Sequence, residues 1–549
     1  MEHATYQSDS PWKKFTHRQE AKHRPEDDLR LCTLNQTSAQ VIERFLSPER
    51  DRIHLDELIH LDELVPRRRQ VLRDFLNGVH PEITLGVGSY LQDVKDRSNE
   101  DNIIALVDDR QNHERCDKII GKPCNDCRIF SRSVGIPELC KRLQEKRSTH
   151  KAEKRLIFIP NITSAAAVGL AATVAERSAP PLRDFLHRYL KREAIFSATI
   201  SWGFFFDIHI PYHAMRRGPL AGTEDPRLIR GKRLRKTEPL PLRCQSTDRE
   251  DLYYHEAQTS SLSWGADEWF WTELCLVDTY FGSEEKHKIY FTGCQEGDGF
   301  DPSVGGKFRM TTPRFDPREY FLLKLRFRTE QAVTEYSALI ETFNSRMDEY
   351  ARTIRRIFED DNKRTNTRTI SDVIETAQLF IDGISGITDA WDTFSRTELE
   401  IFTTYLPDRS TWPTYINIIV RNIAELDRLR KLLLIRRDHF KFKLDSLHTV
   451  SSLSQTYTGN LQAETAVNQG NDLKILTKMT VYVAFPLLFT TALFSMDFVR
   501  PKYPWAVFFG VLALISLVNY MIASPRSSKR VWTKCKAWHD AAVWKLKHN

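Results

Sequence analysis

The residues best suited by type to hold a metal ion fall in three places. Cys116, Cys124, Cys127 and Cys140, with His113 nearby, include one Cys-x-x-Cys pair. Thiolate and imidazole are natural zinc donors, but a structural site draws on a second closely spaced Cys or Cys/His pair. None follows here, so the spacing assigns no zinc. An exact tandem repeat, Ile53-His54-Leu55-Asp56-Glu57-Leu58 and then Ile59-His60-Leu61-Asp62-Glu63-Leu64, brings acidic and imidazole groups together. A short amphipathic helix before Pro66 with one solvated face accounts for it, and two copies are too few for a solenoid. His209 and His213 bracket Pro211 and read as structural histidines of a strand.

Other chemistries fare no better. Gly297 to Lys307 has the look of a phosphate loop, but Asp301 stands where the first glycine is required and Phe308 where Ser or Thr is required. No nucleophile-elbow motif places a serine beside a base. No enzyme reading follows, and no resident cofactor. The net charge of +7 over 549 residues is modest, without the clustered Lys/Arg and interleaved aromatics of a nucleic-acid surface. Nine scattered cysteines fit a reducing compartment, and the polar first 30 residues hold no secretory signal. The sequons at Asn35 and Asn161 would lie on the cytosolic side and are discounted.

The elements that would position any site change character along the chain. Residues 1–150 read as a variable, partly disordered N-terminal region, polar to Arg30. Residues 151–315 read as an α/β cytosolic domain. Arg155 to Ile159 forms a strand ended by Pro160, and Pro181 to Lys191 a helix with Leu182, Phe185, Leu186 and Tyr189 on one face; further apolar runs lie at 202–210 and 269–277. Residues 316–413 are helical, with a polar break at 361–367 and prolines at 407 and 413. From Thr414 to Phe494 a stalk helix continues, on the order of 120 Å long if unbroken by Gly459 or Gly470. Ile416, Ile419, Ile423, Leu426, Leu433, Phe440, Leu444 and Leu447 give it a heptad-like stripe, as of a coiled coil.

The stalk ends in the least soluble stretch of the chain. Met479 to Phe494 carries no charge, and after a connector at 495–504 neither does Trp505 to Ile522. A membrane span needs roughly 20 apolar residues, which both segments reach with a few flanking residues. So short a connector makes them antiparallel neighbours. Arg526, Lys529, Arg530, Lys534, Lys536, Lys545 and Lys547 crowd the tail at 523–549 against one acid, Asp540. Positive residues stay on the cytosolic side, so both termini are expected there. The tail reads as a cytosolic anchor near anionic headgroups of the bilayer. The expected architecture is an α+β cytosolic domain, long α-helices and a C-terminal two-helix transmembrane hairpin.

Phe485-Pro486-Leu487, with Met496 ten residues after the proline inside Ser495-Met496-Asp497, then a short connector, a second span and a basic tail, resembles the CorA-type magnesium channel family. Upstream, 267–282 and 316–322 are similar to its divergent fungal members. In that family a Gly-Met-Asn signature closes the first membrane helix at this distance. Only Met496 of it is kept, with Ser495 for glycine and Asp497 for asparagine.

The resemblance implies a homopentamer whose first membrane helix lines a divalent-cation pore, with Mg²⁺ as cargo. By family position Asp497 replaces the amide that holds a hydrated ion at the mouth. Mg²⁺ dehydrates reluctantly, and a ring of carboxylates would attract it but also retain it and raise some of their pKa values by mutual repulsion. Family spacing then puts Leu488 and Phe485, beside Pro486, in the pore as an apolar gate, with Thr477, Lys474 and Asn471 below. A ring of Lys474 opposes cations. Three readings follow: a divalent-cation channel of altered selectivity, a regulatory pseudo-channel of the same fold, and a tail-anchored enzyme for which no catalytic site is found.

Overall fold

The computed structural model describes residues 104–111, 127–145, 152–174, 178–200, 203–218, 224–229, 231–242, 251–265, 270–282, 299–354, 364–403, 411–496 and 503–523, with the single residues 87, 90, 91, 147, 291, 360, 361 and 536. The tandem repeat, His113, Cys116, Cys124 and Asp497 lie outside them. The chain divides into two compact units, residues 1–445 and 446–549.

In the first unit the strands are β1 (Ala105–Arg110), β2 (Arg128–Val134), β3 (Lys154–Pro160), β4 (Ile195–Ile200), β5 (Phe204–Arg217), β6 (Leu228–Ile229), β7 (Lys232–Arg233), β8 (Thr237–Pro239), β9 (Leu252–Gly265) and β10 (Trp271–Val277). Strands β6 and β7 pair with each other; the rest form one sheet in the order β2-β1-β3-β10-β9-β5-β4, with β8 also on β9. Among the described strands only the β3–β10 pair is parallel. Because β1 and β2 belong to this sheet, folded structure reaches back across the boundary expected at residue 151. The short, partly charged runs ALVDDR and RIFSRSV lack the apolar alternation that marks a strand from sequence alone.

Strand β3 shows why its apolar run is unbroken. Ile157 and Ile159 pack into a cluster with Leu139, Ala166, Leu182, Phe185 and Leu186, while Leu156 and Phe158 join Cys275, Val277 and Met310 in a different one. A strand covered on both faces has no polar side. The first cluster is supplied by helices α1 (Ile136–Gln144), α2 (Ser164–Thr173) and α3 (Ala179–Lys191). Strand β5 runs well past the apolar stretch at 202–210, through Pro211. Its partner β4 ends against His209, so Pro211 lies where β5 has a neighbour on one side only, the position at which a missing N–H is tolerated.

Three long helices follow: α4 (Pro317–Ile354), α5 (Thr365–Thr397) and α6 (Trp412–Met479). Asp316 caps α4 by accepting from the Arg318 amide at 2.8 Å, and Asp360 accepts from the amides of Asn366 and Thr367 at the start of α5. Phe321 of α4 sits 5.5 Å from Phe206 of β5, and Phe402 stacks on Phe321.

The interior also holds charge, in paired groups. Asp109 receives Arg155 and Arg142; burial alone would raise its carboxyl, but Arg155, with Arg147 and Arg142, holds it below the usual range. Asp278 accepts from Arg227 and Arg235, and the Tyr189 hydroxyl bonds to it as well. Lys324 of α4 reaches Glu273 of β10 at 2.5 Å, with Ser261 and Ser263 at 3.0 Å.

The heptad-like stripe of α6 is consumed within this unit up to Phe440. Ile419, Ile423, Leu426, Leu433 and Phe440 are buried, Asn422 bonds to Thr329, and Arg436 pairs with Asp348 of α4. This part of the stripe is the face of an intrachain helix packing, not of a seam between chains. Three- and four-residue steps describe both equally well.

In the second unit α6 passes Gly459 and Gly470 without a break. A π-turn at Thr480–Ala484 joins it to α7 (Phe485–Phe494), and α8 (Pro504–Ala523) follows. Among the described residues, one helix, Trp412–Phe494, is long and apolar enough to cross a membrane; Pro504–Tyr520 is apolar but shorter.

Candidate functional site

Helices α7 and α8 lie against each other in opposite directions. Phe494 at the end of α7 meets Phe508 near the start of α8, ring centroids 5.4 Å apart, and Tyr482 meets Tyr520 at 5.8 Å. The sequence that builds this pair is Leu, Phe and Val with Thr as the polar content of α7. Each threonine hydroxyl there bonds inside its own helix: Thr490 to the Pro486 carbonyl and Thr491 to that of Leu487, both at 2.7 Å. Such i−4 bonds satisfy the hydroxyl without water, as an apolar surrounding demands.

The outer surface of the pair is apolar and open. Phe485, Leu487, Leu488, Phe489, Trp505, Phe509, Leu514 and Leu517 are all about half exposed or more, Leu488 at 68%. A contiguous apolar surface of this kind marks contact with lipid or with other chains. Tyr503 and Trp505, at the start of α8, are also exposed, in keeping with aromatic residues at a membrane interface.

Of the residues singled out for a pore, Asn471, Lys474, Thr477, Phe485 and Leu488 are exposed on this unit, whereas Pro486 is buried. The Thr477 hydroxyl is turned back to the Leu473 carbonyl at 2.7 Å, and Phe485 stacks on Phe489. Ser495 closes α7, its amide on Thr491 and its hydroxyl on the Ala492 carbonyl, and Met496 follows, half exposed.

The π-turn divides the proposed stripe. A π-turn accommodates one extra residue, so the face defined by Asn471, Lys474 and Thr477 is offset by on the order of 100° from the face carrying Phe485 and Leu488. Even 3.6-residue counting across 480–484 does not carry over. Sequence reasoning also missed Asn519, whose side-chain amide donates to the Val481 carbonyl of the π-turn at 3.2 Å. A single amide side chain in an apolar helix, with a proline on its neighbour, was the available signal.

Among its described residues the first unit offers no competing centre. Among the described residues no group of three or more His, Cys, Asp and Glu is placed to hold a metal. His209 lies between Asp207 (2.9 Å) and Ser260 (2.7 Å), an acid, base and hydroxyl in line. All three are buried, so no substrate reaches the hydroxyl. His213 meets Tyr336 and Arg192 instead; burial first, then Arg192, pushes its pKa well below the ordinary value. Asp301 spends its carboxylate on the Ser303 amide and the Tyr320 hydroxyl, which fills the turn that would otherwise cradle a phosphate. Cys127 and Cys140 are buried thiols, and burial pushes Cys140 up to about 12.

No protein-family model and no curated protein sequence matches the chain. Among solved structures it is similar to the crystal structure of the ZntB cytoplasmic domain from Vibrio parahaemolyticus, at 10% identity over 54% of this chain and 91% of that one, with a TM-score of 0.26. That likeness carries no inference about activity. Fold and site together define a mixed α/β unit followed by long helices, with one helix among the described residues long and apolar enough to span a membrane.

Proposed function

We propose that the chain is a membrane transport protein for divalent cations, Mg²⁺ or a related ion, of the CorA-like type that its C-terminal motif resembles. The observation that carries this reading is the helix pair itself: Pro486 lies ten residues before Met496 on an apolar helix, and a second apolar helix runs back along it. On this reading α7 and the end of α6 line a pore through a homopentamer, α8 faces lipid, and both termini are cytosolic because the basic residues flank the hairpin on that side. The reading takes soluble residues up to about 413, a stalk running into the first span, a short outer connector and a basic tail.

Ion handling follows from the side chains. Asp497 supplies a carboxylate ring at the mouth, attractive to a hydrated cation. Phe485 and Leu488 form an apolar constriction that opens by wetting. Lys474 sets a positive ring on the cytosolic side that disfavours cation passage and tunes selectivity.

The departures at Ser495, Asp497 and Lys474 favour a second reading, a non-conducting pseudo-channel of the same fold. Purified protein in liposomes, with Mg²⁺, Co²⁺ and Zn²⁺ entry followed by a trapped indicator, separates the two. Flux that changes in Asp497→Ala supports the channel; a pentamer that passes none of these ions supports the pseudo-channel.

A further inference from the structure

Proline at 486 removes one backbone donor from the first apolar helix, and the structure shows which acceptor is left without it. In the π-turn the Phe485 amide donates five residues back, to the Thr480 carbonyl. The next bond in that register would run from the amide of residue 486 to the carbonyl of Val481. Proline has no N–H, so that carbonyl loses its helical donor. Asn519 of α8 fills the gap, its Nδ2 lying 3.2 Å from the Val481 oxygen.

We infer that Asn519 is a positioning residue for the pore-lining helix, a side-chain substitute for the amide that Pro486 lacks, which holds the π-register of Thr480–Ala484 by tying it to the neighbouring helix. The inference rests on the membrane reading above, because in water an exposed carbonyl finds a solvent donor, whereas in hydrocarbon it does not. A neighbouring helix is then the available source. Asn519 is the single amide side chain in the run from Trp505 to Ile522, and its carboxamide has both the reach and the donor. Leucine there would fill similar volume and donate nothing.

The consequence is local to one end of the helix pair. Tyr482 and Tyr520 flank the tie and are in ring contact, while Phe494 and Phe508 mark the other end. Losing the tie frees the first end and leaves the second paired. The tie also orients the helix above the π-turn relative to the helix below it, and so sets the offset between Leu488 and Lys474.

The test uses the full chain in membranes. Retention in the carbonate-washed pellet is expected; release into the supernatant would overturn the bilayer reading and the inference with it. Disulfide formation is then timed for Tyr482→Cys with Tyr520→Cys, and separately for Phe494→Cys with Phe508→Cys. Asn519→Leu should slow the first pair about fivefold, the scale of one hydrogen bond, and leave the second unchanged. Adding Pro486→Ala restores the backbone donor and should return the first pair to its original rate. An unchanged first pair in Asn519→Leu, slowing of both pairs alike, or failure of Pro486→Ala to restore the rate would each overturn the assignment.

Discussion

Phe440 of α6 stacks on Tyr350 of α4, with ring centroids 6.4 Å apart and planes 10° from parallel. The contact fixes which face of α6 belongs to the soluble unit, since Phe440 is 2% exposed while Phe442, two residues on, is 74% exposed. Truncating a buried phenylalanine removes its transfer free energy and leaves a cavity. Phe440→Ala should destabilise the first unit by about 3–5 kcal/mol, and Phe442→Ala should fall within about 0.5 kcal/mol of wild type. Urea unfolding followed by near-UV circular dichroism distinguishes them, and equal costs would mean that the stripe is not packed as described.

Lys324 and Glu273 form a buried ion pair, closed by two serine hydroxyls, between α4 and the sheet. Removing one charge strands the other where water cannot reach it. Lys324→Met alone should cost about 3–5 kcal/mol, whereas Lys324→Met with Glu273→Leu should recover much of that. A double-mutant cycle gives the coupling directly; additive costs would contradict it.

How much of this was legible in the sequence depends on how local each signal was. Strand β3 was readable from its short unbroken apolar run ended by Pro160, and helix α3 from apolar residues repeating at three or four, each within one segment. The apolar pair at 479–522 was readable from the absence of charge. By contrast β1 and β2 were invisible, since the charges of β1 are neutralised in ways that residue types do not announce: Asp109 by the distant Arg155 and Arg142, and Asp108 and Arg110 by each other. The role of the stripe on α6 was not decidable either, because the same spacing serves an intrachain and an interchain contact. Pro486 is legible as part of a motif, but the π-turn before it, and with it the offset between Thr477 and Phe485, arises from hydrogen-bond register that no residue type announces.

Acid should weaken the first unit through its buried imidazoles. His255 lies against Phe281 and accepts or donates at Thr237, and burial, reinforced by Arg216, lowers its pKa from 6.5 to about 4. A depressed folded-state pKa means that the unfolded chain binds the proton first, so the stabilising effect of neutral His255 is complete above about 6.5 and is lost as pH falls toward about 4. Relative to His255→Gln, which does not titrate, wild type should lose melting temperature between pH 7 and pH 4. Parallel pH curves for the two proteins would rule out this contribution.

Two glycines of α5 should respond in opposite directions to the same change. Alanine in a helix interior is favoured over glycine by about 1 kcal/mol, so an unobstructed site gains stability. At Gly386 an added Cβ would lie 3.5 Å from the Cβ of Ala194, an ordinary contact, and Gly386→Ala should raise stability by up to about 1 kcal/mol. At Gly383 the same atom would fall 2.5 Å from the Tyr336 hydroxyl and 3.4 Å from the His213 ring. Tyr336 is fully buried and bonded to His213, so it has little room to withdraw. Overpacking of this kind costs about 1–3 kcal/mol, which exceeds the propensity gain. Gly383→Ala should therefore melt below wild type and Gly386→Ala above it; a stabilised Gly383→Ala would show that α5 is not seated against Tyr336 and His213.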